Sequence, residues 1–426
     1  MRDLSYLFGL IGFLVASAWG QPAIAETGTP GTLVIHNARI VTGTGRVIEN
    51  GSVLVADGRI QSVNDGDATG DQRIDAGGRT LMPGFIDGHR HIVPGDPSQW
   101  SDEAAAVQMQ SLLDAGFTTV LSCGDPLERI LQLRQQLADG SVNGPRLLTT
   151  GFMPLAQPTG PRPTVDPARA ESSWAPRTQA EPIPDAATLA TLKKYSDAGV
   201  DAIKTVLMVS PGGPEKETLK LIVREGKRLG LPVVTHAVTV MDTVAAVEAG
   251  VASLVHTPVD GELNEADLHL IAESGIPMMT TLGVFVPFFA PDNQPLFRDG
   301  TPFPWERLYH AGEGAVNARL LWNAGTDLAF GTDTRYGVTP ERDHRHLLAH
   351  EIRSLEMVFS PTDIVTIMTG NAAAALGRQD EIGTVEAGKL ADLVLLDGNP
   401  LTDSSALLNV DLVLKQGAIV ADHRKP

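Results

Sequence analysis

Apolar and polar positions change period twice along this chain, and each change marks a change of element. From Thr32 to Val63 the apolar runs are short: Leu33-Val34-Ile35, Arg39-Ile40-Val41, Ser52-Val53-Leu54-Val55 and Arg59-Ile60-Gln61-Ser62-Val63. Turn pairs such as Asn50-Gly51 and Asp57-Gly58 separate them, which predicts a small sheet of strands joined by tight turns. Beyond His91 helical spacing alternates with short apolar runs. Helices are predicted at 101–115, 127–138, 188–198, 219–229, 240–249, 267–274 and 306–323. Strands are predicted at 116–123, 145–150, 201–206, 232–236, 252–256, 277–282 and 328–333. With the stretch that ends on His89, this makes eight strands, seven of them preceded by a helix. Such alternation marks a parallel α/β sheet or barrel. After helices at 347–359 and 362–376, β character returns at 391–396, 410–414 and 418–420. The expected fold is α/β: a (β/α)8 TIM-like barrel over 84–384, inserted into a small β-sandwich domain built from both chain ends, 30–83 and 385–426.

Two stretches interrupt the alternation. Residues 151–184 carry many prolines together with Arg162, Arg169, Trp174 and Arg177, a composition that forbids a regular helix or central strand. A loop of this length inside a barrel reads as a substrate lid. Residues 284–304 are apolar and broken by proline, and form another candidate wall. At the N-terminus, Arg2, the apolar run Leu4 to Trp19 and the small-x-small triplet Ala23-Ile24-Ala25 read as a signal peptide over 1–25, cleaved after Ala25. The run is short for a membrane span. The expected mature protein is therefore exported, periplasmic or secreted, without stable membrane insertion.

Composition narrows the partners. The formal charge of −18 argues against nucleic acid, which needs basic surface to neutralise phosphate. The single cysteine, Cys123, allows no internal disulfide, and its place at the end of an apolar run reads as a buried structural thiol. A small-molecule substrate remains the expected partner, and a homo-oligomer is compatible with the sequence.

The chemistry-bearing residues recur at one kind of place. His89 and His91 stand one step apart at a strand end, where side chains at i and i+2 share a face. Such a pair can share one divalent ion, or can be two surface or core histidines. Lys204 lies inside the apolar run Ala202-Ile203-Lys204-Thr205-Val206, where an unpaired ammonium is costly and must snorkel, pair or serve chemistry. His236 and His256 each end a strand, and Asp333 ends the last one. In a (β/α)8 barrel the catalytic groups sit at these C-terminal strand ends. Arg335 and Tyr336 follow Asp333 in the same loop, where the guanidinium suits a substrate carboxylate. Arg90 points away from the ligand pair and reads as structural. The helical spacing of His344, His346 and His350 suggests a solvated or capping face.

Taken together, Pro83-Gly84-Phe85-Ile86-Asp87-Gly88-His89-Arg90-His91, Ile203-Lys204, Thr235-His236-Ala237, Val255-His256, Gly331-Thr332-Asp333, Asn371-Ala372-Ala373 and the segment Ile382 to Leu393 carry a resemblance. The chain resembles the amidohydrolase superfamily, in the branch of imidazolonepropionase-like proteins and metal-dependent Xaa-Pro (prolidase-type) dipeptidases. The resemblance implies a binuclear metal centre. His89, His91 and Asp333 would hold the more buried ion, His236 and His256 the more exposed one. Lys204, carboxylated on its amine by carbon dioxide, would bridge two divalent ions, zinc first, with manganese and cobalt also compatible. Asp333 would be the acid/base. The expected activity is hydrolysis of an amide C–N bond in a dipeptide, an N-acyl amino acid or a related small amide. Alternatives are a cyclic amide or lactam (imidazolone-type) hydrolase and a non-catalytic metal-binding scaffold. Two departures bear on the pocket. Gly151-Phe152-Met153-Pro154 stands where relatives often continue into Gly-Gly-His, and Leu121-Ser122 stands where Arg-Asp is common.

Overall fold

The computed structural model describes residues 31–93, 100–158, 180–285, 308–334 and 344–424. The leader 1–25, most of the proposed lid, most of the apolar stretch 284–304, and Arg335 with Tyr336 lie outside the described residues. Five strands come first: β1 (Leu33–Val41), β2 (Val47–Ala56), β3 (Arg59–Asp65), β4 (Gln72–Asp75) and β5 (Thr80–Pro83). β1 pairs antiparallel with β2 and parallel with both β4 and β5.

The barrel follows directly. Its parallel strands are β6 (Phe85–Arg90), β7 (Phe117–Ser122) and β8 (Arg146–Phe152); then, after an antiparallel pair of two-residue strands, β9 (Gln157–Pro158) and β10 (Ala180–Glu181), β11 (Ala202–Val206), β12 (Val233–His236), β13 (Ser253–Val255), β14 (Met278–Met279) and β15 (Leu328–Ala329). Helices α1 (Asp102–Asp114), α2 (Leu127–Ala138), α3 (Asp185–Asp197), α4 (Glu215–Leu229), α5 (Val240–Ala249), α6 (Glu265–Ser274) and α7 (Leu308–Asn323) connect them, as the change of period predicts. The ring closes between β6 and the chain that continues β15, where Gly88 N donates to Phe330 O at 2.9 Å and His91 N to Thr334 O at 3.0 Å. Three helices complete this part: α8 (His344–Leu355), α9 (Pro361–Met368) and α10 (Gly370–Ala375).

The C-terminal strands β16 (Leu393–Leu396), β17 (Val410–Lys415) and β18 (Ala418–Asp422) return to the first sheet, because β16 pairs antiparallel with β5. Both chain ends thus share one eight-stranded sheet with an apolar core of its own, including Ile35, Val53, Leu81, Leu395 and Leu412. Among the described residues no helix is long and apolar enough to cross a membrane.

The barrel interior is filled rather than hollow. Ile86, Leu121, Leu148, Ala202, Val234, Val255, Met279 and Ala329, one from each strand, form a single buried cluster, and Ala372 and Ala373 of α10 pack against it. This apolar layer excludes water from below, so polar groups placed above it meet a low-dielectric floor.

Candidate metal centre

Strand alternation carries two of the polar groups inward. Lys204 lies two residues beyond Ala202 and His236 two beyond Val234, so each repeats the direction of its apolar neighbour. The others need irregular backbone. His256 directly follows the inward-facing Val255, and its φ of 75° turns it off the strand. Asp333 (φ 46°) and Thr281 (φ 47°) also occupy the left-handed region, which non-glycine residues seldom visit. The pairing of β6 with β7 shifts register between Asp87 and Arg90, next to His89. Gly331 allows the final closure: a Cβ there would lie 3.0 Å from the Cβ of His89.

The result is a convergence of imidazole nitrogen and carboxylate oxygen. His89 Nε2 and His91 Nε2 lie 3.2 and 3.1 Å from the same carboxylate oxygen, Asp333 Oδ1. The three ligand atoms are within 4.8 Å of one another. Yet Asp333 Oδ1 makes no hydrogen bond. The other oxygen of Asp333 faces His256 Nε2 at 4.0 Å, so this carboxylate stands between two groups of histidines. His256 Nε2 also meets His236 Nδ1 at 2.7 Å. Lys204 is 3% exposed, and its Nζ has no hydrogen-bond partner.

Electrostatics agree with the geometry. Burial drives His89 down to about 3, with the Lys204 charge acting the same way, so the ring is neutral and able to ligate. His256 is likewise held well below its usual range by burial and by His236. Burial would raise Asp333, but the imidazoles of His89 and His91 outweigh it and hold the carboxyl well below the usual range. Burial lowers Lys204, favouring its free amine. An anionic carboxylate, imidazole nitrogens and a buried amine without a hydrogen-bond partner are a donor set that fits a divalent cation.

Several supporting residues were not visible in the sequence. Asp87 Oδ1 accepts from the backbone N–H of His89 and of Thr332, each at 3.1 Å, and its Oδ2 accepts from Thr332 Oγ1 at 2.7 Å and Arg90 Nη1 at 3.0 Å. It thereby ties the His89 strand to the Asp333 turn. Asp125 accepts from Ile92 N at 2.7 Å and Ser122 Oγ at 2.6 Å, with its other oxygen 3.9 Å from His91 Nδ1. A carboxylate behind a ligating imidazole orients the ring, and the position of Asp125 just past a strand end was the signal available. Thr281 Oγ1 contacts His256 Nδ1 at 2.6 Å. Behind it, α8 holds both backbone groups of one residue: Gly283 N donates to Glu351 Oε2 at 2.7 Å and Gly283 O meets His350 Nε2 at 2.9 Å.

Arg90 is structural, as expected, and fully enclosed. The reading of His344 as part of a solvated or capping face needs correction as to solvation. Its ring is 1% exposed and its Nδ1 meets Arg90 Nη2 at 2.6 Å, because α8 turns this end of the helix onto the barrel rather than outward. Cys123 is fully buried, and burial pushes its thiol up to about 12, so it is unreactive.

A family model described as the amidohydrolase family matches residues 80–420. The chain is 25% identical to an imidazolonepropionase of Caldanaerobacter subterraneus subsp. tengcongensis over 395 residues, covering 82% of this chain and 84% of that protein. The structure of a putative prolidase from Bifidobacterium longum superposes with a TM-score of 0.73 at 25% identity, covering 93% of this chain and 95% of that one. A Xaa-Pro dipeptidase with methionine bound in its active site has the same fold, with a TM-score of 0.71 at 24% identity over 91% of this chain and 99% of that one.

Proposed function

Since the chain belongs to the amidohydrolase family and is a hydrolase of C–N bonds, we propose that it cleaves the amide bond of a dipeptide or N-acyl amino acid at a binuclear metal centre. One observation carries the reading: the nitrogens of His89 and His91 converge on an Asp333 oxygen that has no hydrogen-bond partner, in a barrel whose Lys204 is also buried without one. His89, His91 and Asp333 would hold one divalent ion, zinc first, and His236 with His256 the second. Burial lowers Lys204 and favours its free amine, the form that could take up carbon dioxide with loss of a proton, and a carbamate on Lys204 would supply anionic oxygen to hold the ions. When bound, such ions polarise a carbonyl and make water a nucleophile at neutral pH.

The chain's own residues do the rest. Asp333, anionic and standing between the two groups of histidines, accepts the proton of the attacking water and delivers it to the departing nitrogen. Thr281 fixes the ring of His256 through the nitrogen that faces away from the centre, and the Asp125 carboxylate lies 3.9 Å from the corresponding nitrogen of His91. Asp87 holds the two closing segments of the barrel in one register.

The test is elemental analysis of protein purified without chelator and with bicarbonate present, followed by assays on dipeptides and N-acyl amino acids. About two ions per chain with hydrolysis of these amides supports the reading. About one ion per chain, with ring opening of a cyclic amide instead, favours the second reading, to which the likeness to imidazolonepropionase lends weight.

A further inference from the structure

Building on that hydrolase reading, we infer that Phe152 forms an apolar wall of the substrate pocket and selects amides bearing an apolar side chain. β8 alternates in direction: Leu148 belongs to the interior cluster, while a Cβ on Gly151 would run into the ring of Tyr195 on α3, outside the barrel. Phe152 therefore returns to the interior side. Its Cα partner on the neighbouring parallel strand is Lys204, and paired residues of parallel strands face the same way. Gly124 reports how near the two are: a Cβ there would lie 3.5 Å from Phe152 Cδ2 and 3.8 Å from Lys204 Cγ.

The two neighbours differ in exposure. Lys204 is 3% exposed and Phe152 is 42% exposed. Single exposed apolar side chains on an outer surface need no explanation. This one stands at the C-terminal end of a barrel strand, where substrates bind, one strand away from the lysine of the site. Its backbone is pinned: Tyr195 Oη donates to Phe152 O at 2.7 Å, and Met153 N donates to Lys204 O at 2.8 Å. Val206, half-buried and two residues past Lys204, is the Cα partner of His236 and extends the same side of the pocket. A rigid aromatic face next to a polar centre gains by covering its remaining surface with a substrate's alkyl or aromatic group. Leucine-, methionine- or phenylalanine-like side chains fit; a charged side chain would be desolvated against the ring.

The experiment compares metal-loaded wild type, Phe152→Ala and Phe152→Leu on Leu-Gly, Gly-Leu and Gly-Gly. The wild type should favour one leucine peptide over Gly-Gly in kcat/KM, and Phe152→Ala should cut that ratio about tenfold, the range over which a hydrophobic pocket discriminates. Phe152→Leu should recover most of it. An unchanged ratio in Phe152→Ala overturns the inference. If no peptide is cleaved by any of the three proteins, the peptide-hydrolase reading fails separately. The wall is then judged by calorimetry with leucinamide and glycinamide: stronger leucinamide binding that Phe152→Ala abolishes supports it, and equal binding of both amides by the wild type overturns it.

Discussion

Asp333 is the residue on which most of the site's chemistry converges, since one of its oxygens faces His89 and His91 and the other faces His256. Asp333→Asn keeps a ligating oxygen but cannot take a proton. It should retain metal by elemental analysis while kcat falls about 10²–10⁴-fold; full activity would refute the acid/base role. Lys204→Ala should cost one ion per chain by the same measurement, and unchanged stoichiometry would rule out a carbamate bridge. Glu351 makes a prediction about pH. Burial raises its carboxyl from 4.5 to about 8, outweighing the Gly283 N–H that one oxygen accepts, while the other oxygen has no hydrogen-bond partner. The folded state thus keeps a proton that the unfolded chain releases, so stability falls as pH rises between those two values and the loss is complete above the upper one. Glu351→Gln does not titrate. Its stability relative to wild type, measured by urea unfolding, should be similar near about pH 4 and pull ahead towards about pH 9. A difference independent of pH would show that the carboxyl does not carry the proton.

At the scale of elements, the joint between the first sheet and the barrel is closely packed. β5 ends at Pro83 and β6 begins at Phe85, with only Gly84 between them. A Cβ on Gly84 would lie 2.3 Å from Thr118 Oγ1 and 2.8 Å from Thr118 Cβ, and Thr118 is itself buried on β7. No rotamer of Thr118 relieves the contact with its Cβ. Gly84→Ala should destabilise the protein by about 1–3 kcal/mol, the usual cost of overpacking, read as a lower urea midpoint at unchanged slope. Since β6 carries His89, the same change should also weaken metal retention, which a Gly→Ala change at the open helical position Gly312 should not.

For the whole molecule, the question is what holds the barrel to the sheet made by both chain ends. Arg146 on β8 reaches Asp392 just before β16, at 2.6 Å, and also Thr119 at 2.9 Å. Asp392 accepts from Gln416 N at 2.8 Å, and Lys415 Nζ donates to Gly144 O. Asp392 is 5% exposed, so removing its partner leaves a carboxylate with little access to water. Arg146→Ala should lower the unfolding free energy by on the order of 3 kcal/mol. Adding Asp392→Asn should restore part of that loss in a double-mutant cycle, and strict additivity would show that the pair contributes little.

The sequence by itself determined the order of strands and helices, the eight-stranded count and the strand-end positions of His236 and His256, because those follow from periods of two and 3.6 along the chain. It also exposed Lys204 as an anomaly, since an ammonium inside an apolar run is costly whatever surrounds it. Only the tertiary structure decided how these groups meet. His256, Thr281 and Asp333 reach the centre through positive φ angles that alternation does not foresee. Asp87, Asp125 and Glu351 act through partners distant in sequence, as does the burial of His344 against Arg90. Periodicity records which face of an element is apolar; convergence of charge depends on barrel closure, which brings residue 89 beside residue 333 and has no trace in any local window.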